Sequence, residues 1–216
     1  IFTYFRITSV IRMVSMGRSQ DIEEENLVPI TQAAQKILEN EAIRGRDPQI
    51  RKYSILLLSR LCGYKCLDLY VQALYDEDKG VREQAAHALA NLGSAAVYPL
   101  MILLSDPDWK IRYRAAESLG LSNAPEAKAP LFKALNDERD HVRYMAVKGI
   151  ALIGSPEDID QVYPLLDDLN PYVRNMAARC IGTIGGTQSR EVLMRALFKE
   201  PKEENQAVIL EVLDKI

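Results

Sequence analysis

Two histidines, three cysteines and an evenly spaced series of arginines and aspartates are the side chains with which this chain could do chemistry. His87 and His141 fall on different helical segments and read as surface or core residues. Cys62 and Cys66 form a C-x3-C pair with no histidine or second cysteine pair beside it, so zinc is not expected. Three cysteines cannot all pair within one chain, and free buried thiols in a reducing compartment are the expected state. No G-x-G-x-x-G or P-loop occurs, so the glycines read as turn residues rather than a phosphate cradle. Catalytic residues, metal and cofactor are therefore all expected to be absent.

The arginines are a different matter. Arg51, Arg82, Arg112, Arg143 and Arg174 each follow an Ile or Val and lie 31, 30, 31 and 31 residues apart. Asp76, Asp106, Asp137 and Asp168 stand six residues before the last four of them. Such a ladder could serve as an anion-binding track. The structural alternative is that each planar guanidinium bonds an Asp or backbone carbonyls at a turn between units. Partly buried charges are normally paired, which favours the second reading.

What must position that ladder is a repeat. A fixed period near 31 residues predicts a solenoid whose units bury apolar faces only against their neighbours. In residues 106–123, Asp106 reads as a helix N-cap and Pro107 as the first helical residue. Ile111, Ala115 and Leu119 make an apolar stripe, and Asn123 closes the unit where a left-handed backbone is suited. Regular units are expected at 47–77, 78–107, 108–138, 139–169 and 170–200. Their first helices are expected near 48–62, 79–92, 107–121, 139–153 and 171–184. Second helices are expected near 65–75, 95–105, 125–136, 156–167 and 189–199. A small residue follows each Arg by three: Ser54, Ala85, Ala115, Ala146 and Ala177. Turns fall eleven residues after Arg at Gly93, Asn123, Gly154 and Gly185, with Cys62–Gly63 in the Arg51 unit. The second helices share two apolar columns: Tyr70, Leu100, Leu131, Val162 and Leu193, then Leu74, Leu104, Leu135, Leu166 and Leu197.

The ends are less regular. Residues 5–22 align with 142–159, placing Phe5-Arg6 on Val142-Arg143 and Gly17 on Gly154. Residues 1–46 therefore read as a degenerate first repeat, with Ser9 at the small position and helices near 2–16 and 27–40. Ile30, Ala33, Ala34, Ile37 and Leu38 would line the second of these. The 45 residues from Arg6 to Arg51 imply an insertion, placed near Glu39 to Arg46. An Arg-rich, acid-poor start can be a transit peptide, but a removable leader has no reason to match the register of the body. After Pro201, residues 201–216 read as a lone terminal helix with Ala207, Leu210 and Leu213 facing inward. A chain that starts at a unit boundary and stops halfway through another is expected to be a fragment.

Read as D-x(5)-[IV]-R-x-x-A…L-x-x-[GN]…L-x(3)-L-x-D, these residues resemble the short HEAT-like repeats first grouped with phycobilin lyases. The resemblance covers residues 47–200 well and 2–40 loosely. It implies an all-α fold, a right-handed αα-superhelix with first helices on the convex side and second helices on the concave side. The family includes bilin lyase subunits, deoxyhypusine hydroxylases, plain interaction proteins and modules of larger proteins. The hydroxylases bind di-iron through repeated His-Glu dipeptides. Here Ala88 follows His87 and Val142 follows His141, so that motif is missing.

On such a fold, partners would be read by the exposed stripe of the second helices. Counting from the first apolar column, that stripe is Asp68, Gln72 and Tyr75, then Tyr98, Ile102 and Ser105. It continues through Ala129, Lys133 and Asn136, then Asp160, Pro164 and Asp167, then Glu191, Arg195 and Phe198. Tyr75, Tyr98, Ile102 and Phe198 are apolar or aromatic where water is expected, as in a protein interface. Trp109, the sole tryptophan, is expected half-exposed in a packing role at a unit boundary. HEAT-like DNA glycosylases need a basic face. Lys133 and Arg195 are outnumbered here by Asp68, Asp160, Asp167 and Glu191, and the net charge is −3, which disfavours nucleic acid. No run reaches the 18 or more apolar residues of a membrane span. The expectation is a cytoplasmic, non-catalytic scaffold that binds another protein on its concave face. The alternatives are a bilin lyase subunit or a regulatory module of a larger protein, membrane proteins included.

Overall fold

The computed structural model describes residues 24–216. The expected helix near 2–16, with Ser9 and Gly17, lies outside the described residues. The described residues form two compact units that divide between residues 89 and 90.

In the first unit, α1 (Glu24–Arg44) buries Ala34, Leu38 and Ala42 at four-residue spacing. It continues past the expected end near 40, so the extra residues lengthen a helix rather than form a separate loop. Ala33, expected on the inner face, is exposed. Then α2 (Pro48–Leu61) starts on Asp47, whose carboxylate accepts from the Gln49 N–H, with Pro48 in the first turn. It packs along α1. A 3₁₀ turn, Gly63–Cys66, leads into the short α3 (Leu67–Ala73), and α4 (Lys79–Ala90) follows. Leu58, Tyr70 and Leu74 are fully buried in this hairpin. Cys62 and Cys66 are joined by a disulfide and Cys180 is free and buried, which corrects the expectation of three free thiols. Three intervening residues suffice to bring their Cα atoms to 6.1 Å, within the disulfide range.

The second unit contains α5 (Ser94–Leu103), α6 (Trp109–Leu121), α7 (Lys128–Ala134), α8 (Asp140–Ile153), α9 (Pro171–Ile184), α10 (Arg190–Lys199) and α11 (Glu203–Lys215). First helices stack in series: α6 on α8, α8 on α9, and α9 on α11. Ala115, Ala146 and Ala177, the small residues three after each Arg, are fully buried at these joints. The α6–α8 approach is close enough that a Cβ on Gly120 would sit 2.5 Å from the Gly149 Cα. No strand occurs among the described residues.

Three expectations are corrected here. The N-cap of α6 is Asp108, which accepts from the Lys110 N–H, and not Asp106. The expected second helix at 156–167 is two 3₁₀ segments, Pro156–Gln161 and Tyr163–Asp167. Pro164 lacks the N–H that an α-helix would aim at the Asp160 carbonyl, and its ring would clash there. Asn123 adopts φ 55°, and Gly154 and Gly185 end their helices where turns were expected, with φ −72° and −81°; the left-handed residue of the last turn is Gly186. Finally, α11 buries Val208, Ile209, Val212 and Leu213, while Ala207 and Leu210 face water. The inner stripe of α11 follows 3.6-residue spacing from Asn205, rather than the three-residue steps read from 207, 210 and 213.

Candidate functional site

The ladder is built the same way at Arg51, Arg112, Arg143 and Arg174. Arg51 donates through Nε and Nη2 to Asp76, both at 2.7 Å, and through Nη1 to the Gly45 carbonyl at 2.9 Å. Arg112 makes the same fork onto Asp137 and the Asp106 carbonyl, and Arg143 onto Asp168 and the Asp137 carbonyl. Arg82 donates to the carbonyls of Asp76 and Glu77. Arg174 closes the series on Glu200, at 2.7 Å through each nitrogen, with its Nη1 on the Asp168 carbonyl. The Asp six residues before an arginine therefore gives that arginine only its carbonyl. The carboxylates of Asp76, Asp137 and Asp168 serve Arg51, Arg112 and Arg143 of the preceding repeat.

The same carboxylates also hold the turns. Asp76, Asp106, Asp137 and Asp168 each accept the backbone N–H two residues on, from Asp78, Asp108, Arg139 and Asn170. The guanidinium bonds to Asp76, Asp137, Asp168 and Glu200 raise the pKa of Arg51, Arg112, Arg143 and Arg174 above the ordinary guanidinium range. The Arg174 bond pulls Glu200 below the usual carboxylate range against the cost of its burial. Each of these guanidinium groups already bonds a carboxylate through two nitrogens and a carbonyl through the third, which argues against an anion track.

The second-helix stripe lies where the spacing placed it. Asp68, Gln72 and Tyr75 are exposed in the first unit. In the second unit Tyr98, Ile102, Lys133, Asn136, Asp160, Asp167, Glu191, Arg195 and Phe198 are all exposed, while Leu100, Leu131, Val162 and Leu193 beneath them are fully buried. Phe198 is 96% exposed, Tyr98 68% and Ile102 56%. Two of the acids on this stripe are matched by neighbours: Asp167 by Lys199 at 3.2 Å, and Glu191 by Arg195 at 3.1 Å. Met101 and Met194, not singled out by the spacing rule, are also exposed on α5 and α10. α5 has no charged residue along its whole length.

Trp109 is half-buried, with its ring 5.1 Å from that of His141 and the Arg139 guanidinium 5.6 Å from its centroid. Its contacts are thus a packing arrangement between neighbouring repeats, with a cation–π component. His87 is exposed. Among the described residues, no group of three or more His, Cys, Asp or Glu is placed to hold a metal ion. No described helix is long and apolar enough to cross a membrane.

A family model for HEAT repeats matches residues 36–102 and 99–168. The chain belongs to the HEAT-repeat family. A second model, for the PBS lyase HEAT-like repeat, matches residues 173–199. Among solved structures, this HEAT-repeat protein is similar to the complex of CpcE and CpcF of phycocyanin lyase from Nostoc sp. PCC7120. The TM-score is 0.63 at 18% identity, over 68% of this chain and 98% of that one. It is also similar to a designed armadillo repeat protein in complex with the peptide (KR)4, with a TM-score of 0.52 at 25% identity over 94% and 98% of the two chains. Computationally designed armadillo repeat proteins for modular peptide recognition give 0.54 at 23% identity over 96% and 98%. No curated protein matches the chain.

Proposed function

We propose that this HEAT-repeat chain is a non-catalytic scaffold that binds another protein through the exposed stripe of its second helices, with α5 at the centre of the contact. The observation that carries this reading is α5 itself. Val97 and Leu100 are buried, yet the opposite face offers Tyr98, Met101 and Ile102 to water with no charge along the helix. An uncharged helix face with an aromatic and two large aliphatic side chains matches the composition of interface cores, where charged residues are depleted. Tyr contributes area and a hydroxyl at little entropy cost, which makes Tyr98 the expected anchor. The fold supports the reading, since designed repeat proteins of this kind include one in complex with a peptide. The test is co-purification with crosslinking, comparing wild type with a Tyr98→Ala, Ile102→Ala double variant. Partners recovered with wild type should be lost from the variant; equal recovery removes α5 from the interface.

A second reading, a subunit of a bilin lyase or related complex, is favoured by the PBS lyase HEAT-like match at residues 173–199. Incubation with a linear tetrapyrrole, followed by gel filtration and visible absorbance, tests it. A colourless protein peak eliminates a bilin site on this chain alone.

A further inference from the structure

We propose that the Cys62–Cys66 disulfide is a reversible clamp on the turn between α2 and α3, and that thiol–disulfide exchange sets how firmly α3 holds its exposed face. The two sulfurs enclose Gly63, Tyr64 and Lys65, and the last two of these are exposed. Neither the 3₁₀ turn Gly63–Cys66 nor α3 has a side-chain cap. At the corresponding place in a later repeat, Ser155 and Asp158 form a capping box, tightened by Lys128 bonding to Asp158 at 2.7 Å. The sulfur bridge stands where that box would be. It restrains the entry to a helix of only seven residues, too short to persist without tertiary support.

The surroundings favour the bridged state. The Glu39 carboxylate lies 3.9 Å from the Cys66 sulfur, and Cys62 is the C-cap of α2, where the helix dipole is negative. Both disfavour thiolate, and a dithiol whose thiolate is not stabilised is the less favoured partner of its disulfide. Access decides which sulfur exchanges: Cys66 is buried, whereas Cys62 is only half-buried at the surface. An incoming thiolate therefore attacks Cys62. Its S–S bond to Cys66 breaks, Cys66 leaves and takes a proton, and a second thiol releases Cys62. Closure is the reverse: two S–H bonds are lost, one S–S bond forms, and two electrons and two protons pass to a disulfide oxidant such as oxidised glutathione. Cys180 does not compete, because it is fully buried.

Reduction leaves the core of the hairpin in place, since Leu58, Tyr70 and Leu74 remain packed. It frees residues 62–66 and the first turn of α3, the helix that carries Asp68 and Gln72 with Tyr75 just beyond. The link to partner binding rests on the proposed scaffold function, but the clamp is tested on the purified chain without a partner. After equilibration with oxidised glutathione, denaturation and alkylation should label one thiol, and after dithiothreitol three. Hydrogen–deuterium exchange over peptides covering 62–75 should be several-fold faster in the reduced protein, with peptides covering 109–121 unchanged. A Cys62→Ser, Cys66→Ser variant should exchange at the reduced rate under either condition. Three labelled thiols after oxidation, a glutathione adduct in place of the bridge, equal exchange in both states, or a redox response that survives in the double variant would each overturn the proposal.

Discussion

Replacing Arg143 with alanine is the sharpest test of the ladder. Arg143 holds Asp168 through two bonds, 2.7 and 2.9 Å, and reaches the carbonyls of Asp137 and Glu138 at 2.8 and 3.2 Å. The Asp168 side chain is 5% exposed and that of Arg143 16%. Alanine leaves the carboxylate with the Asn170 N–H and removes both charge-assisted donors. Breaking a buried pair by removing one member costs about 3–5 kcal/mol. Because Arg143 has an edge in water that can partly rehydrate the gap, the lower end, about 3 kcal/mol, is expected. At roughly 3–5 °C per kcal/mol for a unit of this size, Tm should fall by about 10 °C. Arg143→Lys keeps the charge but not the fork, and should cost about 1–2 kcal/mol. Urea unfolding followed by circular dichroism measures all three proteins, and a double-mutant cycle with Asp168→Ala isolates the pair. A loss under about 0.5 kcal/mol for Arg143→Ala, or full replacement by Lys, would refute the account of the joint.

Three further outcomes follow from single side chains. Ser54 Oγ is fully buried with no hydrogen-bond partner among the described residues, at the position where later repeats carry Ala85, Ala115, Ala146 and Ala177. Ser54→Ala should therefore stabilise by about 1 kcal/mol, read as a higher urea midpoint with unchanged slope. Gly120→Ala gains about 1 kcal/mol of helix propensity, but its Cβ would lie 2.5 Å from the Gly149 Cα, and overpacking costs typically 1–3 kcal/mol. Thermal melts should show net destabilisation. Glu200 has its pKa lowered, chiefly by the Arg174 bond, so its contribution is complete above the unfolded glutamate value of about 4.3 and is lost as pH falls through the folded value. Glu200→Gln should be less stable than wild type at pH 6, with the gap closing below about pH 4 in a series of urea titrations.

The period of the arginines and the small residues behind them exposed the fold in the sequence, because each must repeat for one hairpin to pack on the next. The exposed stripe was legible for the same reason: once Tyr70, Leu100, Leu131, Val162 and Leu193 are inside, residues two positions away are outside. What escaped was chemistry shared between positions far apart. Asp106 looks like a helix cap because it precedes Pro107, yet Asp108 caps α6, and Asp106 holds the turn before it, while Asp76, Asp137 and Asp168 also reach arginines about 25 residues back. Nothing in the spacing of Cys62 and Cys66 distinguishes a bridge from two thiols, since that depends on where a turn places the sulfurs. Glu200 was hidden because it breaks the aspartate series, one methylene longer where the chain turns at Pro201. In α11 the β-branched Val208, Ile209 and Val212 are inside and Ala207 and Leu210 outside, which a three-residue step cannot distinguish.

Asp76, Asp137, Asp168 and Glu200 each answer to two masters, the guanidinium of the hairpin behind and the turn that launches the hairpin ahead. Both ends of a module are consequently written in the same alphabet. Excising or copying one whole period rejoins an arginine to an acid that fits it, whereas a cut of any other length strands one of the pair. A gene of this design can grow or shrink by recombination between its own repeats and still encode a chain that closes every seam.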